Sequence, residues 1–195
     1  MGRRILCLGD SNTYGYDPRS YVGGRYPETV RWTGQLRLSG LDVVNFGQNG
    51  LSIPMREQDY SRFRDLILRN LPANLVTVML GSNDLLQSSN PDAEAVGRRM
   101  EDFLRSVMVP GVRFLLIAPP PMIPGTWVQD KRLLTESTRL AKCYLDTAET
   151  LSIAYTDSGA WNVGLTFDGV HFSPEGHTSF AAGLGDALDG QWAEG

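Results

Sequence analysis

The chain has 195 residues, of which 42% are hydrophobic and 21% charged, the balance of a folded globular protein large enough to bury a core as one domain. Its formal charge of -4 argues against nucleic acid as a partner, because phosphate binding needs a basic face. No run approaches the roughly eighteen apolar residues of a membrane span, and the opening MGRRILCLGDS has too short an apolar stretch for a signal-peptide core, so a cytoplasmic protein without membrane contact is expected.

In chain order, Arg4 to Leu8 is a short apolar run that reads as a buried strand, followed by the polar turn GDSNTYG. A second strand is expected from Asp42 to Phe46, followed by GQNGLS. Beyond it, Arg62, Arg64 and Arg69 alternate with Asp59 and Asp65, as on a solvated helix face. Val76 to Leu80 predicts a third strand, followed by LGSNDLL. From Asp92, the spacing of Val96, Met100, Phe103, Leu104 and Val107 predicts a helix with one apolar face. Arg113 to Ala118 predicts a fourth strand, leading into the proline-rich APPPMIPGTW. Leu133, Leu140, Ala141, Tyr144, Leu145, Ala148 and Leu151 place a second amphipathic helix from Lys131. A weaker fifth strand is expected from Ser152 to Thr156. The last helix begins at FSPEGH, with Ser173 able to cap it and Pro174 at the tolerated first position.

Apolar strands alternating with helices imply a parallel sheet with helical crossovers on both faces. Sites in such sheets form beyond the carboxyl ends of the strands, so the loops there carry the chemistry. In GDSNTYG, Ser11 or Asn12 could simply cap a helix, with Gly9 in the turn. The later loops add Gly47 and Gly50, then Gly81 and Asn83, then Asp168 and His171 in DGVHFSPEG. A serine, amide donors, a carboxylate and an imidazole thus all fall at strand ends that one sheet brings together.

The strings GDSN, QNGLS, GSND and DGVH, in that order along the chain, resemble the SGNH, or GDSL-type, hydrolase family. Further strings, GDSNTYGYDP, VRWTG, NGLS, MLGSND and APPPM, are similar to its bacterial arylesterase and acyltransferase branch. Asn12, where the family name implies Leu, and Asn49 depart from the pattern. The resemblance implies a three-layer α/β/α sandwich around a central, mostly parallel five-stranded sheet of flavodoxin-like type. It also implies a homo-oligomer and a serine esterase of small carboxylic esters, with a capacity for acyl transfer.

A serine hydroxyl needs a base, and of the two histidines His171 is the candidate, with Asp168 three residues upstream to hold its ring. His177, in the final helix, reads as a surface or packing residue. The resemblance places the oxyanion donors at the backbone N–H groups of Ser11 and Gly50 and the amide of Asn83. Asp10 is expected to tie down its turn and Asp84 to cap the helix after it.

Tyr14, Tyr16, Trp32, Met122, Ile123, Trp127, Phe167 and Phe172 flank the expected site, some as core and some as an apolar entrance; Val170 adjoins His171 as a further substrate contact. The segment 16–32 and the proline-rich loop are candidates for a lid or subunit contacts. Cys7 and Cys143 form no disulfide framework, no His, Cys or carboxylate cluster has metal-ligand spacing, and no phosphate-cradling glycine pattern occurs, so no cofactor is expected. Two rival readings remain: a carbohydrate acetylesterase of the same family, and a non-catalytic small-molecule binder on this fold.

Overall fold

The computed structural model describes residues 3–20, 22 and 24–193, with side chains to residue 190. Five strands, β1 (Arg4–Gly9), β2 (Asp42–Gly47), β3 (Leu75–Met79), β4 (Arg113–Ala118) and β5 (Ala154–Asp157), pair in the order β2-β1-β3-β4-β5. Every neighbouring pair is parallel; Leu6 faces Val44 on one side and Val76 on the other. This is the doubly wound arrangement expected. The chain leaves β1 for β2 on one side and returns to β3 on the other, so the crevice between the ends of β1 and β3 is the topological switch point.

Alternation along the strands sorts the core into two layers. Leu6, Leu8, Val76, Val78, Phe114 and Leu116 point to one face, with Phe63, Met100, Phe103, Leu140 and Tyr144 packed against them. These come from helices α3 (Glu57–Arg69), α5 (Ala93–Val107) and α6 (Lys131–Leu151). Ile5, Cys7, Val43, Leu75, Met79, Leu115 and Ile117 point to the other face, against Trp32 and Leu36 of α2 (Trp32–Leu38) and Phe180, Leu184 and Leu188 of α7 (Pro174–Ala193). Two further short helices, α1 (Ser11–Tyr14) and α4 (Ser82–Leu86), follow β1 and β3 directly.

The helix starts obey their capping residues. The Asp92 carboxylate accepts the N–H groups of Glu94 and Ala95, Asp130 accepts that of Arg132, and the Ser173 hydroxyl accepts that of Gly176. The fifth strand begins two residues later than the sequence pattern suggests, because Ser152 closes α6 in a left-handed conformation, φ 53°. The arginine-rich stretch is helix α3, but only Arg62 and Arg69 of its three arginines lie on the solvated side. Arg64 reaches across to the carbonyls of Ser106 and Met108 and ties α3 to the end of α5.

Both cysteines are free, and burial pushes the Cys7 thiol up to about 12, although Thr77 works to lower it. Among the described residues, no helix is long and apolar enough to cross a membrane.

Candidate active site

Helix α1 is only four residues long, and its first turn is organised by Asp10, not by Ser11 or Asn12. The Asp10 carboxylate accepts the Asn12 N–H at 2.9 Å, and Gly15 closes the helix at φ 89°. Capping therefore makes no demand on the Ser11 side chain. Its Oγ lies 2.9 Å from Nε2 of His171, 160 positions away. The other ring nitrogen, Nδ1, lies 2.7 Å from an oxygen of Asp168. A carboxylate can only accept, so Nδ1 carries the proton and Nε2 is left as an acceptor toward the serine.

Asp168 sits at the tip of a hairpin between β5 and α7, where Leu165 bridges Phe172 and Gly169 turns at φ 84°. Its second carboxylate oxygen accepts the backbone N–H groups of Val170 and His171, both at 2.9 Å. Burial works to raise the Asp168 carboxyl, but the hydrogen bonds from His171 and Val170 outweigh it and hold it down at about 2. Asp168 is thus an anion at neutral pH, almost fully buried, with its lone pairs directed at the imidazole and its backbone.

The loops after β1, β2 and β3 are laced together. Gln48 donates its N–H to the Gly9 carbonyl at 3.0 Å, and the Asn83 amide donates to the Leu51 carbonyl at 3.1 Å. An amide nitrogen has two N–H groups, so this bond fixes the Asn83 head while leaving one donor. Gly50, at φ 70°, turns the chain just before Leu51 in a conformation that side chains disfavour. Asp84 lies inside α4 and does not cap the helix after it, whose cap is Asp92; it accepts the Ile53 N–H at 3.0 Å and pairs with Arg99 at 3.5 Å, pinning the end of the glycine loop.

Of the expected entrance residues, two touch the imidazole. The Tyr16 ring lies 4.8 Å from that of His171, and the Trp127 ring stands edge-on at 5.0 Å. Ile123, Trp127 and Phe167 are 44%, 52% and 60% exposed, on two segments that backbone bonds hold side by side next to Asp168. Tyr14 lies instead beneath the Arg25 guanidinium, 4.4 Å from its ring centre. Met122 is buried with the core, the alternative that the sequence left open for its group, and Val170, expected as a substrate contact, is buried there too. Trp32 and Phe172 are also interior, in an aromatic cluster around Phe180.

The proline-rich loop is tied to the hairpin that carries Asp168. The N–H groups of Ile123, Thr126 and Trp127 donate to the carbonyls of Gly169, Phe167 and Asp168, each at 3.1 Å. His177 is fully buried and is a packing residue: its Nδ1 faces the Trp32 N–H at 3.4 Å, between the rings of Tyr26 and Phe172. Among the described residues, no three His, Cys, Asp or Glu gather as a metal-ligand group. A cleft of about 820 Å³ between β2 and α3 is lined by Phe46, Phe63 and Leu66; neither Ser11 nor His171 borders it.

A buried serine–imidazole–carboxylate relay at the switch point of a doubly wound sheet is an arrangement suited to nucleophilic serine chemistry. The chain belongs to the GDSL-like lipase/acylhydrolase family, whose pattern matches residues 7–178. It is 31% identical to the isoamyl acetate-hydrolyzing esterase 1 homolog of Bos taurus, over 89% of this chain and 76% of that one. It also superposes on an aryl esterase of M. smegmatis with a TM-score of 0.83 at 24% identity, covering 97% of this chain and 99% of the other. A carbohydrate acetylesterase from Sinorhizobium meliloti gives 0.81 at 23%, with the same coverage. Both solved structures share the fold.

Two contacts escaped the sequence reading. The sequence marks Asn12 only as a departure from the pattern that could alter packing around the nucleophile, and Trp32 only as an entrance candidate. In the structure the Trp32 indole N–H donates to the Asn12 carbonyl at 3.0 Å, and the Asn12 side chain reaches the hairpin that carries His171.

Proposed function

We propose that the protein is a serine esterase of small carboxylic esters that works through an acyl-enzyme. The observation that carries this reading is the continuous relay from Ser11 Oγ to His171 Nε2 and from Nδ1 to Asp168, at 2.9 and 2.7 Å. As Ser11 Oγ attacks the ester carbonyl, His171 takes its proton, and Asp168 stabilises the imidazolium that forms. The Ser11 and Gly50 N–H groups and the Asn83 amide receive the oxyanion. His171 returns the proton to the departing alcohol. Water, deprotonated by the same imidazole, then attacks the acyl-serine and releases the acid; an alcohol in its place gives acyl transfer.

The Trp127 ring stands against the imidazole that hands its proton to the leaving alcohol, with exposed Ile123 and Phe167 on the segments bonded beside it. This apolar grouping favours an apolar alcohol moiety over a sugar, in keeping with the esterase named for the bovine relative.

The test is hydrolysis of p-nitrophenyl acetate and butyrate by wild type and Ser11→Ala, with a serine-reactive phosphonate as a covalent probe. Turnover by wild type alone, with the label on Ser11, is expected. Equal rates from both proteins remove the covalent mechanism. Faster release of acetate from acetylated sugars than from aryl esters replaces this substrate class with the carbohydrate reading.

A further inference from the structure

We propose that Asn12 is a positioning residue that sets the distance between the nucleophile and its base, an inference that rests on the esterase reading above. Asn12 follows Ser11 directly and is 4% exposed. Its side-chain nitrogen donates to the Val170 carbonyl at 3.1 Å, and its side-chain oxygen accepts the Phe172 N–H at 2.9 Å. One planar amide therefore holds the two peptide groups that flank His171.

The rest of the residue is equally committed. Its N–H is held by Asp10 at 2.9 Å and its carbonyl by the Trp32 indole at 3.0 Å. Asn12 itself cannot shift without breaking a buried hydrogen bond.

From the far side, Asp168 takes the N–H groups of Val170 and His171. The backbone around His171 is thus gripped between a carboxylate and an amide. The carboxylate orients the ring, whereas the amide alone ties that segment to the residue bonded to the nucleophile. A leucine here would supply volume but neither bond, leaving the Val170 carbonyl and the Phe172 N–H unpaired in a buried place. Misplacing reacting groups by about 1 Å can cost on the order of 100-fold in rate.

The experiment compares wild type with Asn12→Leu, which loses both bonds, and Asn12→Asp, which keeps the acceptor and loses the donor. Three quantities are read: kcat and KM for p-nitrophenyl acetate, the pH profile of kcat/KM, and the low-field proton resonance of His171 Nδ1–H.

Expected is a roughly 10- to 100-fold fall in kcat for both variants with KM little changed, and a broadened or lost resonance. In Asn12→Asp the added carboxylate moves the acid limb of the profile to higher pH, because it favours the imidazolium. Asn12→Leu or Asn12→Asp with wild-type kcat and an intact resonance overturns the proposal. A fall in kcat that only tracks the folded fraction by circular dichroism does so too. Absence of turnover and of phosphonate labelling in wild type defeats the esterase reading, while the resonance, which needs no substrate, still decides the clamp.

Discussion

The indole of Trp127 stands edge-on to the imidazole of His171, ring centres 5.0 Å apart at 80°, and covers one side of that ring. Half of the indole remains exposed, so it contributes little to the core. Trp127→Ala should leave thermal stability near wild type while opening the imidazole to water. In the presence of a fixed concentration of benzyl alcohol, the ratio of transesterified to hydrolysed product from p-nitrophenyl butyrate should fall several-fold. An unchanged ratio would show that this ring does not govern the acceptor.

Asp168→Asn keeps the shape of the carboxyl but reverses the polarity of one head. Its oxygen can still accept the N–H groups of Val170 and His171, leaving the NH₂ to face His171 Nδ1. The imidazole then carries its proton on Nε2 and cannot accept one from Ser11. A loss of roughly 10⁴ in kcat is expected, as for the same change in other serine triads, with the fold intact by circular dichroism. A rate within tenfold of wild type would refute the tautomer role.

For the oxyanion, Asn83→Ala should cost about 3 kcal/mol in the transition state, or roughly 100-fold in kcat, with KM nearly constant. The bond to the Leu51 carbonyl goes too, which costs about 1 kcal/mol of stability. Thermal melts and steady-state rates separate the two effects. A rise in KM at constant kcat would assign Asn83 to ground-state binding instead.

His177 makes stability depend on pH. Burial, with Arg31 nearby, pulls its imidazole from 6.5 down to about 4. The folded state holds it neutral where the unfolded chain would protonate it. Its contribution is therefore complete above about pH 6.5 and is lost as pH falls toward 4, by about 3 kcal/mol in all. Asp10 opposes this: burial raises its carboxyl to about 6, against the Asn12 N–H and His171, so it gains stability as pH falls through the same range. The wild-type curve mixes the two, but the difference between wild type and His177→Gln isolates the histidine. That difference, from urea unfolding, should shrink between pH 7 and pH 4.5; a constant difference would contradict it.

Much of this was legible from residue types and spacing, because strands and crossover helices carry strong apolar patterns. The Ser11, Asp168 and His171 loops could be ordered by the rule that strand ends gather. What stayed hidden depends on partners distant in sequence. Asn12 beside a helix start reads as a cap, yet Asp10 takes that role and the Asn12 side chain bonds residues 158 and 160 positions away. Arg64 reads as solvated because its acceptors are backbone carbonyls, which have no residue signature. The proline-rich segment reads as a lid or a subunit contact because its three bonds to residues 167–169 are likewise backbone to backbone.

Since every strand runs the same way, the opposite rim carries none of this chemistry. Its turns at Gly40 and Gly111, which lead into β2 and β4, adopt φ of 99° and 80° with nothing within 4 Å of an added Cβ. A short tag or surface linker grafted at either turn would anchor the molecule to a support by its base. The mouth would then face the medium.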